Sequence, residues 1–250
     1  MVTDERALPR RERPGGGRPV LVVGHRGAPR LARENTLPAL DAALGLGADW
    51  IEVDVRLARC GTPVLLHDAT LRRLWNDPRA VASLSAAELQ RLPGDERIPT
   101  LREGVELAQG YGATVMVDVP APAEGLAALD LVRELGALNA AVFAGDRAAL
   151  ALIRDAEPTA RIALTSESPF LPSARLLDRI RPAYLNVEHH RLTRTLVDRA
   201  HRRGLGVSVW TVDRAARMSR VAAMGVDVII TNDPATLLGA LAALAAPRPV

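Results

Sequence analysis

Lysine is absent from this 250-residue chain, so all 32 of its basic residues are arginines. That raises the isoelectric point to about 9.9 although the formal net charge is only +3. Charge so close to balance, with arginines scattered beside acids, does not describe a nucleic-acid binder and leaves only a mild attraction for small anions. Cysteine is nearly as scarce. Cys60 stands alone before a glycine, which excludes an internal disulfide and a cysteine metal cluster. Aromatics make up 3% against 48% hydrophobic residues, so the core must be built from Ala, Leu and Val. No apolar run is long enough to span a bilayer; the longest near the C-terminus, LLGALAALAA, is about half the needed length. The opening MVTDERALPRRERPGGGRPV has no apolar stretch of the kind a signal peptide requires. Stable membrane insertion is therefore not expected, and a cytoplasmic location is. Residues 1–18, charged and rich in Pro and Gly, are expected to form a disordered tail before a domain spanning 19–247.

What is present is concentrated between His25 and Asp68. Residues 20–24, VLVVG, read as a buried strand that delivers His25-Arg26-Gly27 at its C-terminal end. Asn35 or Thr36 can cap the helix that follows, with Pro38 in its first turn. The strand WIEVDVRL then carries Glu52 and Asp54. Strand side chains alternate, so these two acids share one face while Ile51, Val53 and Val55 take the other. Two adjacent acids buried without compensation are expensive, and a hard divalent cation, Ca²⁺ or Mg²⁺, relieves that. A further strand, PVLLH, ends at His67-Asp68. Two histidines bracketing a carboxylate pair point to metal-assisted acid–base chemistry.

Beyond His67 the pattern alternates strand and helix to the end of the chain. Strands are expected at 114–119, 140–145, 161–167, 184–190, 207–212 and 226–233, each followed by a helix. With the first two, these make eight strand–helix units of continuous apolar strands, which predicts a closed (β/α)₈ TIM barrel in one domain. No G-x-G-x-x-G follows a strand, which disfavours a dinucleotide-binding sheet. In such a barrel the active site forms where strands end, and His25, Glu52, Asp54, His67, Asp118 and Trp210 all fall there.

HRG, ENT, the Glu-x-Asp strand, PVLLHD, IPTLREGVELA, VSVWTVD and GVDVIITNDP occur in this order. The series resembles the glycerophosphodiester phosphodiesterase family from residue 20 to about 240. The resemblance implies hydrolysis of small glycerophosphodiesters to glycerol 3-phosphate and an alcohol, with His25 and His67 as the acid–base pair. It implies a metal site at Glu52, Asp54 and Asp118, and substrate contacts from Arg26, Asn35 and Trp210. Arg26 can grip a phosphate with its forked donors. Asn35 can orient His25 or a glycerol hydroxyl, or serve only as a helix cap. Glu34 can support the metal or merely the helix N-terminus. In the family, glycerol's neighbouring hydroxyl attacks phosphorus, a cyclic phosphate forms, and water then opens it.

Two departures stand out. The family's third barrel strand carries Glu-x-Lys, and the matching residues here are Asp118 and Pro120. Asp118 can still ligate a hard cation, whereas Pro120 supplies no charge, so an arginine from another strand has to compensate. Residues 142–146, VFAGD, also lack the family's Ser-Phe. These changes keep two alternatives open: action on larger lysophospholipids in the manner of a lysophospholipase D, and a barrel that binds a phosphorylated ligand without turnover. His189, His190 and His201 lack acidic company in the sequence and are expected to lie outside the site.

Overall fold

The computed structural model describes residues 20–92 and 96–246. The expected N-terminal tail lies outside the described residues. The first half contains β1 (Leu21–His25), α1 (Leu37–Gly45), β2 (Trp50–Leu57), β3 (Pro63–Leu65) and the short helices α2 (Arg72–Trp75) and α3 (Ala86–Leu89). It continues through α4 (Leu101–Gly110), β4 (Thr114–Val119), α5 (Pro122–Glu134) and β5 (Ala141–Gly145). The second half contains α6 (Arg147–Ala156), β6 (Ala163–Ser166), α7 (Ala174–Ile180), β7 (Tyr184–Glu188) and α8 (Arg194–His201). It ends with β8 (Gly206–Trp210), α9 (Ala215–Ala223), β9 (Val228–Thr231) and α10 (Pro234–Ala245).

Eight of the strands run parallel in the order β5-β4-β2-β1-β9-β8-β7-β6. The ends of this sheet meet through a parallel bridge between Phe143 and Ile162, where Phe143 N–H donates to Arg161 O at 2.9 Å. The result is a nearly closed (β/α)₈ barrel, as the strand count predicts. β3 stands apart: it pairs antiparallel to β2, with Val55 opposite Leu65 and Leu57 opposite Pro63. That hairpin folds the chain back so that His67 returns to the end of the strand carrying Glu52 and Asp54.

Alternation along the strands divides the core in two. Ile51, Val53 and Val55 are fully buried on the outer face of β2, beneath α1, α4 and α5. Each such side chain contributes about 1.5–3 kcal/mol. The inner face of the barrel is filled by Val23, Trp50, Met116, Val142, Ala144, Ala163, Val228 and Ile230. A third cluster around Val64, Leu66, Leu71, Val81, Leu89 and Ile98 anchors the insertion between β3 and α4. No helix among the described residues is long and apolar enough to cross a membrane.

The helix starts follow sequence chemistry. Thr36, not Asn35, caps α1, and Thr100 and Ser85 form capping boxes with Glu103 and Glu88. β7 stops at Glu188, two residues earlier than the apolar pattern suggests, because the Glu188 carboxylate accepts the His190 N–H at 3.1 Å and turns the chain.

Candidate active site

β1 carries His25 to the barrel mouth, and the next residues make a strained turn. Arg26 has φ 58° and Asn35 φ 57°, both in the left-handed region that non-glycine residues rarely occupy. Such strain persists where surrounding contacts over-determine it, and here they do. The Arg26 N–H donates to Glu52 Oε2 at 2.9 Å, and the Asn35 N–H donates to Arg26 O at 3.0 Å. Gly27 follows with φ 90°, and a Cβ there would sit 2.4 Å from the Ala39 carbonyl carbon, so α1 packs directly on this turn. Asn35 is fully buried; its Nδ2 donates to Asp54 Oδ2 at 2.7 Å and its Oδ1 accepts the Asp54 N–H at 3.2 Å. It braces β2 from behind and does not line the cavity.

The mouth holds a cavity of about 460 Å³. His25, Arg26, Glu52, Asp54, His67, Asp118 and Trp210 all line it, so of the eight expected site residues only Asn35 stands back. Arg56, Pro120 and Asn186 line it as well. Trp210 is half-buried, with its indole N–H directed to Asn186 O at 3.4 Å.

The acids crowd together. Glu52 and Asp118 are held above the ordinary carboxylate range by burial first, then by the neighbouring carboxylates; Asp118 is pushed up to about 6. Arg26 compensates in part: its Nη1 donates to Glu34 Oε1 at 2.8 Å, and its Nε lies 2.9 Å from Asp54 Oδ2. The latter contact is an ion pair without hydrogen-bond alignment. The buried Glu52 and Asp54 and the half-buried Asp118 share one guanidinium, which leaves excess negative charge on oxygen atoms alone. That fits a hard divalent cation and not a soft one.

Each histidine is held by Nδ1. His25 Nδ1 lies 2.8 Å from Asn232 Oδ1. The orientation of Asn232 follows from Asp213, a carboxylate that can only accept: Asn232 Nδ2 donates to Asp213 Oδ2 at 2.7 Å, and the Asn232 N–H donates to Oδ1 at 2.8 Å. Asn232 therefore presents its carbonyl oxygen, His25 carries its hydrogen on Nδ1, and Nε2 is left as the basic nitrogen. That nitrogen lies 3.9 Å from Glu52 Oε2. Burial first, then the Arg26 charge, lowers the His25 pKa and keeps the ring neutral.

His67 Nδ1 lies 2.7 Å from Asp68 Oδ1. Arg73 Nε donates to Asp68 Oδ2 at 2.7 Å, chiefly holding Asp68 at about 2. Arg73 also donates to both oxygens of Glu34, at 2.6 and 3.0 Å. A line of alternating charge, Arg26–Glu34–Arg73–Asp68, thus runs from beside one histidine to the other. Burial raises the pKa of Glu34, but the Arg73 and Arg26 guanidiniums outweigh it and hold Glu34 below its ordinary value. Arg56 donates through Nε and Nη2 to the His67 carbonyl, at 2.9 and 2.6 Å.

Sequence reasoning gave no role to Asn232, Asp213, Arg73 or Arg56. The TND and WTVD stretches contain the first two but do not show that they meet. His189 and His190 fall outside this cavity, as does His201, whose Nε2 lies 2.7 Å from Asp227 Oδ2.

The matching family model is the glycerophosphoryl diester phosphodiesterase family, over residues 25–236. A glycerophosphodiester phosphodiesterase of Caldanaerobacter subterraneus subsp. tengcongensis is 29% identical over 235 residues, 87% of this chain and 96% of that protein. A glycerophosphodiester phosphodiesterase structure from Agrobacterium tumefaciens superposes with a TM-score of 0.79 at 26% identity, covering 89% of this chain and 99% of that one. An Oleispira antarctica phosphodiesterase, solved with the product sn-glycerol-3-phosphate, superposes with a TM-score of 0.81 at 23% identity, covering 89% of this chain and 96% of that one, and so shows the fold. Sequence order, barrel and site geometry agree, and the chain belongs to the glycerophosphoryl diester phosphodiesterase family, whose members are phosphoric diester hydrolases.

Proposed function

We propose that this enzyme hydrolyses small glycerophosphodiesters to sn-glycerol 3-phosphate and an alcohol, with His25 and His67 as the acid–base pair. The observation that carries the reading is that both rings line one cavity while each is fixed through Nδ1, by Asn232 and by Asp68. Each ring therefore keeps Nε2 for a substrate oxygen. A barrel that only binds a ligand has no use for two such rings beside three acids.

In the first step His25 Nε2 accepts the proton of the glycerol 2-hydroxyl, whose oxygen forms a bond to phosphorus. The bond from phosphorus to the alcohol oxygen breaks, and His67 delivers a proton to that oxygen. The product is a cyclic glycerol phosphate. In the second step the roles reverse: His67 takes a proton from water as it attacks phosphorus, and His25 returns a proton to the 2-oxygen. Glu52, Asp54 and Asp118 would hold a Ca²⁺ or Mg²⁺ ion, which supplies charge neutralisation at a phosphoryl oxygen when bound.

Arg56 is the cation best placed to stand in for the charge that Pro120 cannot supply. It lies two residues beyond Asp54 on β2, lines the cavity, and among the described residues has no carboxylate as a hydrogen-bond partner. Two of its donors fix the backbone at His67, and Nη1 remains for a phosphoryl oxygen. The cavity volume falls in the range of small-molecule sites. The sn-glycerol 3-phosphate bound to the Oleispira protein is consistent with this substrate class.

Product identity tests the reading. With glycerophosphocholine, phosphorus NMR is expected to show sn-glycerol 3-phosphate, with a transient cyclic phosphate in slow variants. Release of phosphocholine and glycerol instead would place the cleaved bond on the other side of phosphorus and overturn the assignment of His67 as the acid for the leaving alcohol.

A further inference from the structure

A second cavity, of about 670 Å³, lies beside the catalytic mouth, and of its lining only Asp213 has a role in the chemistry above. It is lined by His189, His190, Asp213, Arg214, Arg217 and Arg220, with Thr211 and Ala216. We propose that this cavity is a phosphate-binding site, built by Arg214, Arg217 and Arg220 with His189 and His190, that takes a phosphomonoester group.

The three arginines recur every third residue from the start of α9, so they fall along one side of the helix. Arg217 is pre-set: its Nε donates to His189 Nδ1 at 3.3 Å and its Nη2 to the His189 carbonyl. Arg214 and Arg220 are exposed and paired with no acid among the described residues. The one carboxylate in the lining, Asp213, is occupied elsewhere. Its Oδ1 accepts the Asn232 N–H at 2.8 Å and the Thr231 hydroxyl at 3.2 Å, and its Oδ2 accepts Asn232 Nδ2 at 2.7 Å. Three guanidiniums thus face one concavity against the single carboxylate of Asp213, which leaves an excess of positive charge. Forked guanidinium donors match tetrahedral oxyanions, and a cavity of this volume admits the molecule carrying one.

The main competing occupant is a metal ion, because ligand atoms of Glu188, His189 and His190 lie within 4.8 Å of one another. Three features oppose it. Glu188 already accepts the His190 N–H at 3.1 Å, and His189 Nδ1 already accepts from Arg217. A divalent cation there would also face three positive side chains.

Position gives the site its use. Trp210 lines the catalytic cavity and Thr211 lines this one, so the end of β8 separates the two. Asp213, on the wall of the second cavity, is the residue that orients Asn232 and through it His25. A phosphomonoester held here comes either from the alcohol part of a substrate, which rests on the proposed function, or from free phosphate acting on turnover.

Inorganic phosphate is the first probe, titrated calorimetrically into the wild type and the Arg214→Ser/Arg220→Ser variant. Both substituted side chains are exposed, so the fold and the kcat on glycerophosphocholine are expected to stay unchanged. Phosphate stoichiometry should fall by one equivalent in the variant, whether or not the catalytic cavity also binds it. Two kinetic arms then assign the source. A KM rise of about tenfold or more, confined to a glycerophosphodiester with a phosphorylated alcohol, identifies the substrate's own second phosphate. An effect of free phosphate on glycerophosphocholine turnover, present in wild type and lost in the variant, identifies a free ligand. Unchanged phosphate stoichiometry in the variant overturns the proposal, as does stoichiometric Zn²⁺ binding that His189→Ala abolishes.

Discussion

Asn232 Oδ1 and His25 Nδ1 meet at 2.8 Å across the junction of β1 and β9, and Asp213 fixes which end of the Asn232 amide faces the ring. The basic nitrogen of His25 is thereby set by two residues that do not line the catalytic cavity. Asn232→Ala is expected to lower kcat by about tenfold to a hundredfold with little change in KM. Asp213→Asn, which can present an amide hydrogen to Asn232, should produce a similar loss by freeing the Asn232 amide to flip. Equal kcat in wild type and both variants would show that the ring needs no such restraint.

His25→Ala and His67→Ala are each expected to reduce turnover by about a hundredfold or more. Thermal melting in the presence of the metal should change little, because both rings sit at the cavity surface and not in the aliphatic core. A variant that keeps wild-type turnover removes that histidine from the chemistry.

Arg56 and Pro120 can be tested together. Arg56→Gln should weaken binding of glycerol 3-phosphate by about tenfold. Adding Pro120→Lys to it should restore part of the affinity, since the new ammonium enters the same cavity. Failure of the lysine to restore any affinity would mean that the cation is needed at the Arg56 position itself, for example to hold the His67 carbonyl.

The crowded carboxylates give a pH dependence of definite sign. Asp118 titrates at about 6 when folded, against an ordinary value of 3.8, so the folded chain holds that proton more tightly. Its contribution to stability therefore falls as pH rises between those two values and stays lost above the upper one. Asp68 is held at about 2, and its stabilising contribution is already complete above 3.8, so it does not move in this window. In metal-free protein, Asp118→Asn should raise the melting temperature by a few degrees at pH 7 and leave it unchanged at pH 4. Ca²⁺ or Mg²⁺ should stabilise the wild type more at pH 7.5 than at pH 5, because the ligands must be deprotonated. The same metal-induced shift at both pH values would place the ion elsewhere.

Much of this was readable in the chain because the barrel repeats simple signals. Apolar strands bounded by glycine and helix caps set the eight units, and Glu52-Val53-Asp54 put two acids on one face by alternation alone. The supporting ties were not readable, since they join residues distant in sequence. His25 and Asn232 are 207 positions apart, and Glu34 and Arg73 are 39 apart. In a chain with 32 arginines, no local pattern distinguishes Arg73 or Arg56 from those that only face solvent. Asn35 illustrates the converse. Its place in a helix-start motif suggested a cap or a substrate contact, but only the fold shows its amide bonded to Asp54 behind the site.

Metal-dependent hydrolysis is read out by following sn-glycerol 3-phosphate release from glycerophosphocholine in a coupled assay, with Mg²⁺, with Ca²⁺ and with EDTA. Turnover is expected with at least one of these ions, with its loss in EDTA and its recovery when the ion is returned. Glu52→Ala is expected to lose activity and ion binding together. Undiminished turnover in EDTA, or none with either ion across several head groups on folded protein, would contradict metal-dependent hydrolysis.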